Sequence, residues 1–466
     1  MKGLFARQPL AWTSREHDGP ALKRTLGWPA LTAIGLGTML GGIFPTIGVG
    51  AHAAGPGVIL AFAITGVVSL CVALCYAEFA SMVPVAGSAY TYAYTTLGEV
   101  VAWVIGWDLI LEYGVSVAPT AASWSGFAQH LISQAGIALP AWAQTGQIWT
   151  GQVDVIAAVT VLAITGLVAL GIRESANVNG ALVVFQIVTM LVFIAATFHA
   201  VNLQHLHPFA PLGFGGIMGG SALVFFAYIG FDTVTVASEE AHTPHKHVPL
   251  GIILALIIGT GLYIALTFFC VAVLPYGKLS DDAAMLDALK AASTNPLVYA
   301  IVALGGLAGN TTVMITSLLG QVRIFYVMSR DRLLPESVAR VNERTRTPAR
   351  MTLITGCVVA LLAAMLPLSD LIELTNVGTL AAFAIVCAGV LVLRFIEPKA
   401  DRPFRAPWLP LFSILGTVSC VALIASLQWP TWVRFGVWFV IGIAVYAAYG
   451  YRKSHLRTLG DAPEER

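Results

Sequence analysis

Long apolar runs recur along the chain at residues 30–53, 56–82, 100–132, 154–171, 178–200, 214–238, 249–274, 296–326, 351–366, 371–396, 408–428 and 431–450, with polar residues gathered between them. A helix needs about 20 apolar residues to cross a hydrocarbon core of about 30 Å, and most of these runs approach or exceed that length. The pattern predicts an all-α polytopic membrane protein with twelve transmembrane helices. One connector differs from the rest. Between Pro275 and Pro296, Asp281, Asp282, Asp287 and Lys290 alternate with Ala284, Leu286 and Leu289, which predicts a short amphipathic surface helix.

Basic residues orient the predicted spans. With both ends on the cytoplasmic side, only Lys278, Lys290 and Arg434 fall outside, and the other twenty-two of the twenty-five Lys and Arg fall inside. Composition then narrows the class. Of 466 residues, 57% are hydrophobic and 11% charged, where a soluble domain carries about 25% charge. Twenty-five basic against twenty-four acidic residues leave no basic footprint for nucleic acid. The polar start from Met1 to Gly27 has no apolar core or cleavage site of a signal peptide and reads as a cytoplasmic leader. All six cysteines lie in apolar runs, which argues against a disulfide framework. His242, His245 and His247 share a proline-flanked loop without companion cysteines, and no phosphate loop, dinucleotide fingerprint or hydrolase motif occurs. The chain is read as needing no cofactor and no metal.

Two runs are interrupted. Gly41-Gly42-Ile43-Phe44-Pro45 closes the middle of the first, and Gly230 and Asp232 break the apolar sequence of the sixth. Proline removes a backbone donor and glycine tolerates unwound dihedrals, so both runs are expected to be discontinuous helices. Freed backbone groups survive at membrane depth only beside a cavity or a polar ligand. Paired breaks at corresponding places are the pointer to a secondary transporter's central site, where helix-start N–H groups suit a carboxylate. Acids inside the runs add to this. Asp108 and Glu112, four residues apart, share one helix face, and an intramembrane carboxylate faces a cavity or a partner by default. Glu78, Glu239 and Glu240 lie nearer the ends of runs, where packing against Arg323 or the loops competes with ligand contact. Gln186 and the cluster Asn310, Thr311, Thr312, Thr316 and Ser317 could line a polar path or bond to their own helices.

These residues carry a resemblance. Cys75-Tyr76-Ala77-Glu78-Phe79, Pro84 through Tyr90, Gly106-Trp107-Asp108 through Gly114, Phe225 through Asp232 with Glu239-Glu240, and Arg323 through Asp331 make the chain similar to the amino acid, polyamine and organocation transporter superfamily, closest to its bacterial cationic amino acid branch. The resemblance implies a LeuT-like fold: a leader at 1–27, a first five-helix repeat at 28–200, an inverted second repeat at 213–396, helices 11 and 12 at 407–450, and a cytoplasmic tail at 451–466. It also implies a multi-pass inner- or plasma-membrane carrier of L-amino acids, working by alternating access in the lipid bilayer, with protons as the coupling partner. Arginine, lysine and ornithine are the favoured substrates. A neutral amino acid carrier or exchanger, and a nontransporting sensor or scaffold, stand as alternatives.

By position the resemblance assigns the substrate carboxylate to Thr38, Met39, Gly41, Gly42 and Ile43. The amino group goes to Phe226, Ala227 and Ile229, a positive side chain to Glu112 and Asp232, and the gate to Phe226 or Phe231. Two positions depart from the family pattern. Gly41-Gly42 lacks the residue that usually separates these glycines, with Pro45 following. Gln186 stands at the coupling position where many relatives carry lysine, and glutamine has no titratable proton. Symport, uniport and exchange therefore remain open.

Overall fold

In a computed structural model, the described residues are 26–454 apart from 83–87, 138, 172–175, 237–240, 294, 336, 338–347 and 401. The leader to residue 25, positions 84–87 of the Pro84 motif, Glu239, Glu240, the arginine-bearing stretch 338–347 and the tail from 455 lie outside the described residues.

The chain runs through α1 (Trp28–Met39), α2 (Ile47–Ala54), α3 (Val58–Met82), α4 (Ser88–Thr96), α5 (Glu99–Val115), α6 (Val117–Gln134), α7 (Val155–Ala169), α8 (Ala176–Thr197), α9 (Gly213–Val224) and α10 (Thr233–Val236). It continues with α11 (Pro244–Val273), α12 (Ala284–Ala292), α13 (Pro296–Arg330), α14 (Ala349–Met365), α15 (Leu368–Ile396), α16 (Leu409–Ala425) and α17 (Trp429–Val445). Among the described residues there is no strand, only the isolated bridges Leu26 to Ala241 and Gln147 to Gln152.

The expectation of twelve spans in a LeuT-like arrangement of two five-helix repeats is corrected here. Among the described residues, eight helical runs are long and apolar enough to cross a membrane: Ile47–Met82, Glu99–Gln134, Gly180–Ala200, Gly213–Thr235, Pro244–Val273, Pro296–Arg330, Leu368–Ile396 and Trp429–Lys453. Four apolar helices are shorter, namely Trp28–Ile43, Val155–Ala169, Ala349–Met365 and Leu409–Ala425. The physical reason is length. Helices of 15 and 17 residues rise only about 22–26 Å, short of a core of about 30 Å. The run expected at 30–53 is also cut, because its second half, α2, joins α3 through the turn Gly55–Gly57, where Gly55 takes φ +63°.

The first core is built by α11 against α1 and α3, α15 against α5 and α16, and α13 against α6 and α8. One buried acid in it is paired with arginine. Glu78 on α3 is fully buried and accepts from Arg394 Nε (3.0 Å), Arg394 Nη2 (2.6 Å) and Ala406 N (2.9 Å), with Arg402 Nε at 3.5 Å. Its partners are thus Arg394 and Arg402, not Arg323. The amphipathic helix expected between Pro275 and Pro296 is α12, which buries Ala284, Met285, Leu286, Ala288 and Leu289. Its approach segment is wedged against α2 and α6: a Cβ on Gly48 would sit 2.0 Å from Ser280 O, and one on Gly126 would sit 2.4 Å from the Asp282 carboxylate. His52 Nδ1 meets Asp281 at 2.6 Å and His130 Nε2 meets Asp287 at 3.2 Å on the same face. Burial raises Asp287, but the hydrogen bonds from His130 and Ser280 outweigh it and hold the carboxyl below its ordinary value.

Candidate functional site

Both interrupted runs break where the glycines stand, in different ways. After α1 the chain tightens into the 3-10 turn Leu40–Ile43, turns through Pro45, and restarts at Ile47. Gly41 and Gly42 do not take positive φ, so freedom from L-residue dihedrals is not what they supply. They supply close approach. A Cβ on Gly41 would lie 2.4 Å from Gly309 O of α13, and one on Gly42 would lie 2.9 Å from Ala227 Cα in the other break. The second break is wider. α9 passes into the 3-10 turn Phe225–Tyr228, Ile229 is extended, and Gly230 takes φ +110°, a conformation L side chains rarely adopt.

The breaks face each other and share their hydrogen bonds. Tyr263 Oη on α11 lies 2.7 Å from Met39 O and 2.8 Å from Ala227 O. Thr38 Oγ1 donates to Gly230 O at 2.8 Å, and Thr233 Oγ1 to the same carbonyl at 2.6 Å. Thr46 Oγ1 serves Gly42 O and Ile43 O at 3.0 and 2.9 Å. These side chains do what water would do for the freed carbonyls at a broken helix.

A cavity of about 30 Å³ lies between the breaks, room for a water or two. Four of the residues expected from sequence line it: Thr38, Gly42, Phe226 and Ile229. Met39, Gly41, Ile43 and Ala227 are buried beside it without lining it. Of the two gate candidates, Phe226 is at the cavity. Phe231 instead packs on Tyr76 and Phe383, with ring centroids at 5.9 and 5.3 Å. Thr316 and Ser317 of the α13 polar cluster line it as well.

Four lining residues had not been singled out, Tyr113, Ser116, Thr233 and Val313, and Gly230 had been named only as a helix breaker. Their signal was positional: Thr233 follows Asp232 and Tyr113 follows Glu112, each next to an acid. Neither Glu112 nor Asp232 lines the cavity. Both are fully buried; Asp232 Oδ2 accepts from Tyr113 Oη at 3.2 Å, and Glu112 faces Thr379. Asp108, 1% exposed, is one helical turn farther along α5. Gln186 on α8 is fully buried against Gly309, and among the described residues neither of its amide atoms has a hydrogen-bond partner. Asn310 Nδ2 reaches Ser123 Oγ at 3.3 Å.

Comparison with known proteins decides the class. The chain matches the amino acid permease family over residues 26–449. It belongs to that family. The chain is 42% identical over 468 residues to the branched-chain amino acid permease BcaP of Bacillus subtilis, covering 98% of this chain and 100% of the relative. It is 39% identical to the methylthioribose transporter of the same organism, at the same coverage. Cationic amino acid transporter 4 of Homo sapiens is 36% identical over 84% of this chain and 63% of that protein. The relatives include branched-chain, methylthioribose and cationic carriers, so the narrower likeness to the cationic branch is not singled out. As a member of the amino acid permease family the chain is a multi-pass membrane transporter rather than an enzyme.

Proposed function

We propose that this permease carries neutral L-amino acids with branched aliphatic side chains, by alternating access at the cavity between the two breaks. The observation that carries this reading is the chemistry of the lining. Thr38, Ser116, Thr233, Thr316 and Ser317 offer hydroxyls, Val313, Ile229 and Phe226 offer apolar surface, and no carboxylate is among the lining residues. Burying a leucine-sized side chain gains about 1.5–3 kcal/mol. A lysine or arginine side chain placed there without a counter-charge costs several kcal/mol instead. The reading therefore sets aside the preference for arginine, lysine and ornithine that the resemblance implied. The whole-length likeness to a protein named a branched-chain permease supports it.

Head-group recognition falls to the hydroxyls and to the backbone of the two breaks, and Phe226 is placed to occlude the site. Gln186 cannot release a proton, so coupling through that position is not part of this reading. The test is counterflow in proteoliposomes with labelled leucine, isoleucine, valine and arginine. Uptake of the first three, blocked by unlabelled leucine and untouched by excess arginine, is expected. Arginine counterflow without leucine counterflow would overturn the proposal.

A further inference from the structure

We infer that Tyr113 sets the charge preference of the cavity, by holding the Asp232 carboxylate away from it. The inference rests on the neutral-substrate reading above and deepens it. Asp232 stands in the chain between Gly230 and Thr233, both of which line the cavity, yet it does not line the cavity itself. Its Oδ2 is turned to Tyr113 Oη at 3.2 Å. Tyr113 does line the cavity, and it is held by close packing on α13, where a Cβ on Gly320 would come within 2.8 Å of its ring. The phenol thus stands at the wall between solute and acid.

Behind that wall stand two fully buried acids, Asp232 and Glu112. Glu112 is within electrostatic reach of Asp232, and Tyr76 is close to both. A guanidinium or ammonium group reaching this pair would make charge-assisted hydrogen bonds that hydroxyls cannot match. With Tyr113 in place a cationic side chain meets only neutral groups among the described lining residues, and specificity comes from what is withheld.

The experiment compares wild type, Tyr113→Phe, Tyr113→Ala and Tyr113→Ala/Asp232→Asn in proteoliposomes, after each has passed size-exclusion chromatography as a single species. Labelled leucine uptake is challenged with arginine, and labelled arginine counterflow is measured directly. Tyr113→Ala is expected to raise arginine counterflow at least tenfold over wild type, and adding Asp232→Asn should return it to the wild-type level. Tyr113→Phe, which keeps the ring but removes the hydrogen bond to Asp232, should show arginine inhibition of leucine uptake where wild type shows none, and decides the matter if the alanine variant does not assemble. Leucine transport in wild type with no arginine effect in an assembled Tyr113 variant overturns this inference alone, as does arginine uptake that survives Asp232→Asn. Arginine carried by wild type in place of leucine overturns the neutral-substrate reading beneath it.

Discussion

Tyr263→Phe removes one oxygen from the point where both breaks meet. The Tyr263 ring is fully buried, edge-on to Tyr228 at 5.3 Å and tilted on Phe62 at 5.8 Å, so phenylalanine keeps the packing and opens no cavity. What is lost is the hydroxyl that reaches Met39 O at 2.7 Å and Ala227 O at 2.8 Å. A net hydrogen bond contributes about 0.5–1.5 kcal/mol, and a buried acceptor left unmet costs about 1–3 kcal/mol. The hydroxyl has one proton for two carbonyls, so the expected loss is about 1–3 kcal/mol rather than twice that. Tyr228→Phe is the matched control. Its hydroxyl donates to Phe62 O at 2.7 Å, inside the regular ladder of α3, where that carbonyl keeps its helical partner. That variant should lose about 0.5–1.5 kcal/mol. The assay is reversible unfolding in mixed micelles, paired with leucine counterflow, which Tyr263→Phe should slow because the tie joins α1, the second break and α11. Equal stabilities for wild type and Tyr263→Phe would refute the reasoning, since they would mean the two carbonyls are satisfied without the phenol.

Three further outcomes follow from the same geometry. Gly41→Ala puts a methyl 2.4 Å from Gly309 O and 2.5 Å from Val313 Cγ2, and should cost about 1–3 kcal/mol and abolish counterflow; Gly261→Ala, with nothing within 4 Å, should be neutral or mildly stabilising. Glu78→Ala leaves buried Arg402 and half-buried Arg394 without their carboxylate and should cost about 3–5 kcal/mol in the same unfolding assay, with Glu78→Gln losing less. Asp154 caps α7, accepting from Ala157 N at 2.8 Å and Ser125 Oγ at 2.6 Å, and burial pushes its carboxyl up to about 7. The folded protein then keeps a proton that the unfolded chain releases near its ordinary value. The stability this gives is full at low pH and drains away as pH rises to about 7. Wild type should lose about 2–3 kcal/mol between pH 5 and 8, and Asp154→Asn should not; parallel pH profiles would count against the assignment.

The sequence carried the membrane class and both breaks because each is written locally. An apolar run excludes water whatever its neighbours are, and Pro45 and Gly230 disturb a helix whatever packs on it. Helix length was less legible. The runs at 154–171 and 351–366 are the shortest in the sequence yet read as spans, and their helices are 15 and 17 residues long. The role of Gly41 and Gly42 was hidden for a related reason. Glycine serves equally for unusual dihedrals and for close approach, and the choice between them depends on Gly309 and Ala227, which are distant in the chain.

The cavity lining was half legible for a reason that bears on how buried acids are read. A carboxylate in an apolar run announces that a charge must be met, and the meeting partner was taken to be a solute. The chain meets Asp232 from within instead. With Ile229 extended and Gly230 at φ +110°, the backbone turns so that Gly230 and Thr233 edge the cavity while the Asp232 carboxylate goes to Tyr113. Tyr113 neither carries a charge nor breaks a helix, so the local pattern does not mark it. Yet an aromatic with a hydroxyl is the side chain suited to this wall, since its ring closes the cavity and its O–H satisfies the acid behind. Where a buried acid in such a break is found one residue from a cavity but not in it, the donor that holds it back is the residue to question about specificity.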